Sequence, residues 1–80
     1  MKIKLVAFGI SKDILGGSEF DFEFTTGSDI KSLKTALIEK FPEFDNLKAI
    51  SFAVGEEYRS DEYMVSEGEE VIIIPPVSGG

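Results

Sequence analysis

The run Val71-Ile72-Ile73-Ile74 sets the strictest condition on how this chain can fold, because its four β-branched residues are apolar whichever way each side chain points. A strand that alternates apolar and polar residues can lie with one face in water. A continuous β-branched run needs both faces covered or lies inside a sheet. The N-terminal segment 2–9, Lys-Ile-Lys-Leu-Val-Ala-Phe-Gly, makes a similar demand in its second half. Ile3, Leu5 and Ala7 share one face there, and Val6 and Phe8 the other. Both ends of the chain therefore read as interior strands of one sheet.

Between them the pattern is more ordinary. Residues 10–18 carry Gly16-Gly17 and Ser18 and read as a loop. Residues 19–25 alternate Phe20, Phe22 and Phe24 with Glu19, Asp21 and Glu23, which predicts a strand with one buried face and one acidic, solvated face. Ser28 or Asp29 can cap a helix in which Ile30, Leu33, Leu37 and Phe41 recur at spacings of three and four, with Ile38 beside them. Pro42 should stop that helix near Lys40, because the residue before a proline is pushed out of helical geometry. Residues 50–54 form another alternating strand ending at Gly55. The polar stretch from Glu56 to Ser66 holds at most a short edge strand around Tyr63 to Val65, and Ser66-Glu67-Gly68-Glu69 is a turn.

The order β-β-α-β-(β)-β, with one main helix laid across a mixed sheet of four to five strands and the first and last strands central, is an α+β, β-grasp (ubiquitin-like) arrangement. The expected organisation is a single domain over residues 1–74 and a flexible tail over 75–80.

Composition narrows function. The 80 residues include no Cys, His or Trp, so thiol and imidazole nucleophiles, disulfides and the usual zinc ligands are missing. The net charge of −7 disfavours nucleic acid and anionic membranes, both of which need clustered Lys and Arg, and suits a basic partner protein. Adjacent acids at Glu56-Glu57, Asp61-Glu62 and Glu69-Glu70 lack the spacing of a calcium loop and read as a solvated surface. Without a leader-like or membrane-spanning stretch in view, the expected location is the cytoplasm.

The C-terminus is where chemistry can live. It reads Ile74-Pro75-Pro76-Val77-Ser78-Gly79-Gly80. Two terminal glycines arise by chance roughly once in 200 chains at a glycine usage of about 7%. Here they follow a buried strand and a proline pair that cannot continue sheet pairing normally. Residues 75–80 in extended form would project roughly 20 Å at about 3.1–3.3 Å per residue. Glycine has no Cβ, so a narrow channel can close around such a tip and still receive its carboxylate.

The segment Glu70-Val71-Ile72-Ile73-Ile74-Pro75-Pro76-Val77-Ser78-Gly79-Gly80, with Gly68-Glu69 before it, resembles the closing signature of the molybdopterin synthase small subunit family. The likeness extends more loosely through the first strand, the helix and Phe52-Ala53-Val54. Family members often carry Asn where this chain has Gly55, and glycine also suits the turn. The resemblance implies a sulfur carrier of molybdenum cofactor biosynthesis that is not itself an enzyme. A ubiquitin-activating-enzyme-like adenylyltransferase would use ATP to adenylate Gly80, and a sulfur donor protein would convert it to a thiocarboxylate. The tail, Ile74, Pro75, Pro76, Val77, Ser78 and Gly79, would thread into the large subunit of molybdopterin synthase, in a heterotetramer, and deliver sulfur to the cyclic pyranopterin precursor. Exposed apolar residues near the last strand would seat that partner. No cofactor or metal is expected on the chain itself. The alternatives are a ubiquitin-like modifier joined to lysines through the same tail, a sulfur carrier of another pathway such as thiamine, or an acidic interaction domain with an incidental glycine end.

Overall fold

The computed structural model describes residues 1–25, 27–46 and 50–75. Its elements are β1 (Lys2–Ala7), α1 (Ile10–Leu15), β2 (Glu19–Glu23), α2 (Ile30–Lys40), a 3₁₀ turn (Pro42–Asn46), β3 (Ser51–Val54), β4 (Glu57–Arg59) and β5 (Glu70–Ile74). The strands form one sheet in the order β2-β1-β5-β3-β4. The β1–β5 pair is parallel and the others are antiparallel. The two most apolar strands thus lie side by side in the centre, as their composition demands, and the fold is the α+β β-grasp.

The core lies on one side of the sheet. Ile3, Leu5, Val71 and Ile73 from the central strands meet Ile30, Leu33 and Leu37 of α2, Phe22 and Phe24, and Phe44 of the 3₁₀ turn. Each such side chain contributes about 1.5–3 kcal/mol by leaving water. An 80-residue chain without disulfides depends on this cluster.

α2 begins and ends where the sequence places it. Asp29 is the cap, its Oδ1 accepting the Ser32 N–H at 2.9 Å. The first two helical N–H groups find partners outside the helix: Ile30 donates to Tyr63 O at 3.0 Å and Lys31 to Asp61 O at 3.1 Å. The segment 60–66 is therefore bound to the start of α2, and Val65 N–H completes the tie by donating to Ser28 O at 2.6 Å. The N–H groups of Ile30, Lys31 and Ser32, which a helix start leaves without intrahelical partners, are all occupied. At the other end, Pro42 closes α2 at Lys40 and opens the 3₁₀ turn.

Two local expectations are corrected. Residues 10–18 are not wholly loop, because Ile10–Leu15 forms a short helix. It ends in the left-handed conformation at Gly16, φ 83°, whose N–H donates to Lys12 O at 2.9 Å. Glycine reaches that conformation without the Cβ clash that would stop other residues. The edge strand is also elsewhere: it lies at Glu57–Arg59, whereas Met64 makes only an isolated bridge to Asp29. The cause is the two-residue turn Gly55-Glu56. Both residues have positive φ, 62° and 69°, which matches the twist of a tight hairpin and pairs Val54 directly with Glu57. Glycine enters this geometry freely at Gly55, as an asparagine would with little cost.

Candidate functional site

The root of the tail is held by the strand it leaves. β5 is paired on both sides, Val6 and Ala7 of β1 standing beside Ile72 and Ile73, and Phe52 and Ser51 of β3 beside Ile73 and Ile74. Its start is fixed by the turn ahead of it. Gly68 N–H donates to Lys2 O at 2.7 Å, and both Glu67 carboxylate oxygens accept the Lys2 N–H at 3.2 Å. Lys4 N–H donates to Glu69 O at 3.0 Å.

The Glu69 side chain joins the turn to the preceding segment. One oxygen accepts the Ser66 N–H at 2.9 Å and the other the Tyr63 hydroxyl at 3.0 Å. That hydrogen bond to a carboxylate holds the Tyr63 phenol above its ordinary value of 10.0. Arg59 covers the Tyr63 ring at 4.6 Å from its centroid, and its Nε donates to Val54 O at 3.0 Å. The strand that carries the tail is therefore fixed at its beginning, along both edges and through the loop in front of it.

The sheet face turned away from α2 divides into two zones. The pairing registers place Val6, Ile72, Ala53 and Tyr58 in one row across four strands. Ile74 stands beside Ser51 in the next row, toward the tail. Phe8 and Ile10 follow the end of β1 and are 55% and 47% exposed, and Tyr58 is 70% exposed. Ala53 is buried although it lies outside the core cluster, as a small side chain between Ile72 and Tyr58 would be. The opposite end of the same face is charged. Lys2 faces Glu23, Lys4 faces Asp21 and Glu70, and Lys4 Nζ lies 3.4 Å from Glu19. An apolar zone, rimmed by charge, thus adjoins the point where β5 ends.

Of the tail residues singled out in the sequence, Ile74 is half-buried at the end of β5 and Pro75 is half-buried after it. Pro76, Val77, Ser78, Gly79 and Gly80 lie outside the described residues. Of the apolar residues on this face near the last strand, Phe8 and Tyr58 are exposed, whereas Ile72 and Ile74 of β5 itself are half-buried. Only the register assembles them: Tyr58 sits in a polar stretch of sequence, and Phe8 reads as the end of β1 until Gly9, φ 57° and ψ −130°, turns the chain away. Among the described residues there is no group of three or more carboxylates that could hold a metal, no enclosed cavity, and no helix long and apolar enough to cross a membrane. What this surface offers is an apolar zone beside the end of β5.

Known proteins resemble this chain over most or all of its length. The ThiS family matches residues 5–80. The molybdopterin synthase sulfur carrier subunit of Chlamydomonas reinhardtii is 36% identical over 83 residues, covering 100% of both chains. Among solved structures, the small archaeal modifier protein 1 of Haloferax volcanii superposes with a TM-score of 0.78 at 14% identity, covering 95% of this chain and 98% of that one. A structure of the complex of subunits 1 and 2 of molybdopterin-converting factor from Helicobacter pylori gives a TM-score of 0.65 at 22% identity, covering 100% of both chains. At such identities the two structures speak for the fold, and the relative of higher identity speaks for the family. The chain belongs to the ThiS family and, within it, to the molybdopterin synthase sulfur carrier subunits of molybdenum cofactor biosynthesis.

Proposed function

We propose that the carboxylate of Gly80 is the sulfur-bearing group, and that the apolar zone of Val6, Phe8, Ile72, Ile74 and Tyr58 seats the proteins that load and unload it. The observation that carries this reading is the continuity of a Gly-Gly end, a proline pair and a central strand that is itself part of the apolar row.

A carboxylate resists attack because its leaving group would be an oxide. Transfer of AMP from ATP, with release of pyrophosphate, makes it an acyl adenylate whose leaving group is AMP. A persulfide sulfur then displaces AMP, and a thiol of the donor protein attacks the resulting acyl S–S bond, becoming a disulfide and leaving a thiocarboxylate on Gly80. Attack by the thiocarboxylate sulfur on a carbon of the cyclic pyranopterin precursor forms the new C–S bond while a C–O bond at that carbon breaks and its electron pair leaves on the oxygen. Water finally cleaves the acyl–sulfur bond and restores the carboxylate. The chain lacks His and Cys, so the acids, bases and persulfide of this sequence belong to partner proteins. These are a ubiquitin-activating-enzyme-like adenylyltransferase, a sulfur donor and the large subunit of molybdopterin synthase. The role of this chain is delivery, with Gly79 and Ser78 keeping the approach slender and Pro75 and Pro76 keeping it extended. The Helicobacter pylori complex of two subunits supports a partner of the last kind.

The test is intact-mass analysis of the protein from its native cells, with fragmentation of the C-terminus. Sulfur replacing oxygen at Gly80 is the expected result. A free carboxylate accompanied by branched peptides on target lysines would make the chain a modifier and overturn the reading.

A further inference from the structure

A second surface lies on the flank of the sheet, separated from the tail-bearing strand by β1. β2 is an outer strand, and its pairing with β1 uses the backbone of alternate residues. Ala7 N–H donates to Ser18 O and Phe24 N–H to Met1 O, each at 2.9 Å, on either side of the pairs Leu5–Phe20 and Ile3–Phe22. This phase turns the amides of Phe20 and Phe22 toward β1. It directs the N–H and C=O groups of Glu19, Asp21 and Glu23 outward, where nothing among the described residues pairs with them. Three donors and three acceptors in an extended row are a template for another strand.

The side chains say which strand. The carboxylates of Glu19, Asp21 and Glu23 are exposed and line the face away from α2. On the other face, half-buried Phe20 meets half-buried Phe41 edge to face, with ring centroids 5.5 Å apart, and Lys40 Nζ stands 6.0 Å from the Phe22 ring centroid. A second copy of this chain fits poorly, since pairing β2 with β2 would set carboxylates against carboxylates. The ion pair of Glu19 with Lys4 is exposed on both sides and too weak to withhold that carboxylate from a better-placed cation.

We propose that the outer edge of β2 accepts an extended segment of a partner protein as a sixth strand. Its occupant is a segment of alternating basic and apolar residues. Lys or Arg stands opposite Glu19, Asp21 and Glu23, and the apolar residues between them rest on the rim formed by Phe20 and Phe41. Main-chain hydrogen bonds supply the attachment and the alternating side chains supply the choice, as in other strand-addition complexes. The charge that keeps this edge from pairing with itself selects the partner.

The test uses the full chain, ¹⁵N-labelled, titrated with a capped peptide containing Lys-Val-Lys-Val-Lys and with one containing Lys-Lys-Lys-Val-Val. The alternating peptide should bind about tenfold more tightly. It should also slow amide hydrogen exchange at Glu19, Asp21 and Glu23, which charge attraction alone does not do. Asp21→Pro removes one outward donor while leaving the β1 ladder intact, because proline is tolerated on an outer edge. It should weaken the alternating peptide about tenfold, the scale of one lost hydrogen bond and one lost charge. Asp21→Asn should cost less, and its cost should vanish in high salt. Equal binding of the two peptides, absence of binding, or unchanged exchange at the three amides would overturn the proposal. The exchange measurement needs no variant, so misfolding of Asp21→Pro leaves the test decisive. No sulfur chemistry enters it, so its outcome is independent of the role of Gly80.

Discussion

Ser11 is a polar side chain sealed inside this small core. The residue lies on α1, is 0% exposed, and its Oγ has no hydrogen-bond partner. An unpaired buried hydroxyl costs about 1–3 kcal/mol in lost hydration. Ser11→Ala removes that cost and adds a few tenths, about 0.5 kcal/mol, of helix propensity. The opposing term is the void left by one oxygen. At about 24 cal/mol per Å³ and roughly 10 Å³, it is about 0.2 kcal/mol. Even at the lower end of these figures the balance favours alanine by about 1.3 kcal/mol, which in a domain of this size raises Tm by about 5–10 °C. Urea unfolding followed by circular dichroism should show a higher midpoint at unchanged slope, and calorimetry a higher Tm. Ser11→Val should do the reverse, because extra volume in a fully covered site forces its neighbours apart at about 1–3 kcal/mol. A neutral or destabilised Ser11→Ala would overturn this expectation. It would mean that the hydroxyl is satisfied in solution, through a buried water or a backbone carbonyl.

Three further outcomes are expected. Hydrogen bonding from Ser32, through its side chain and then its backbone N–H, holds the Asp29 carboxyl below its ordinary 3.8. The stability this cap contributes is therefore present above the unfolded-state value and lost as pH falls through the lower folded-state value. Asp29→Asn keeps an acceptor but does not titrate, so its acid-unfolding limb should be shallower below about pH 4. Glu56 has φ 69°, a conformation that costs an ordinary residue about 1–2 kcal/mol. Glu56→Asn should recover about 0.5–1 kcal/mol, read in the same urea melts, with the β3–β4 pairing unchanged by NMR. Tyr58→Ala removes the most exposed member of the apolar row. Calorimetric titration with the large synthase subunit should give a Kd about tenfold higher, while Tm moves by no more than a few degrees.

What the sequence made legible were the elements whose signals are local. The alternation of Phe20, Phe22 and Phe24, the apolar stripe from Ile30 to Leu37 with its cap and its stop at Pro42, and the doubly apolar β5 each carry their own evidence within a few residues. The elements that escaped depend on neighbours. α1 is six residues long, too short for a period to stand out, and its ending glycine is indistinguishable in sequence from a loop. β4 is polar in composition and exists because a two-residue turn folds it onto β3. Ser28 and Asp29 were equivalent as caps until the tertiary structure assigned Asp29 to Ser32 and the Ser28 carbonyl to Val65. The apolar row is the strongest case. Val6, Ala53, Tyr58 and Ile72 are scattered over most of the chain, and only the sheet register makes them adjacent.

That register also explains why a carrier can work with so few reactive side chains. Ile72 and Ile74 belong both to the apolar zone and to the strand that continues into the tail. A partner that seats the zone therefore receives the tail at a fixed offset, because no flexible link lies between the seat and Pro75. In the role proposed for Gly80, the reacting end stays within the roughly 20 Å that an extended segment 75–80 spans, and its local concentration at the partner's active site rises without any contact made by Gly80 itself. Had the zone been built on β4, at the far edge of the sheet, the same tail would have to span the neighbouring strands at about 4.8 Å each before reaching the same point. Placing the tail on a central strand is thus a mechanical solution to a chemical shortage. It makes orientation, which an enzyme usually obtains from side chains around the reacting atom, a property of the sheet.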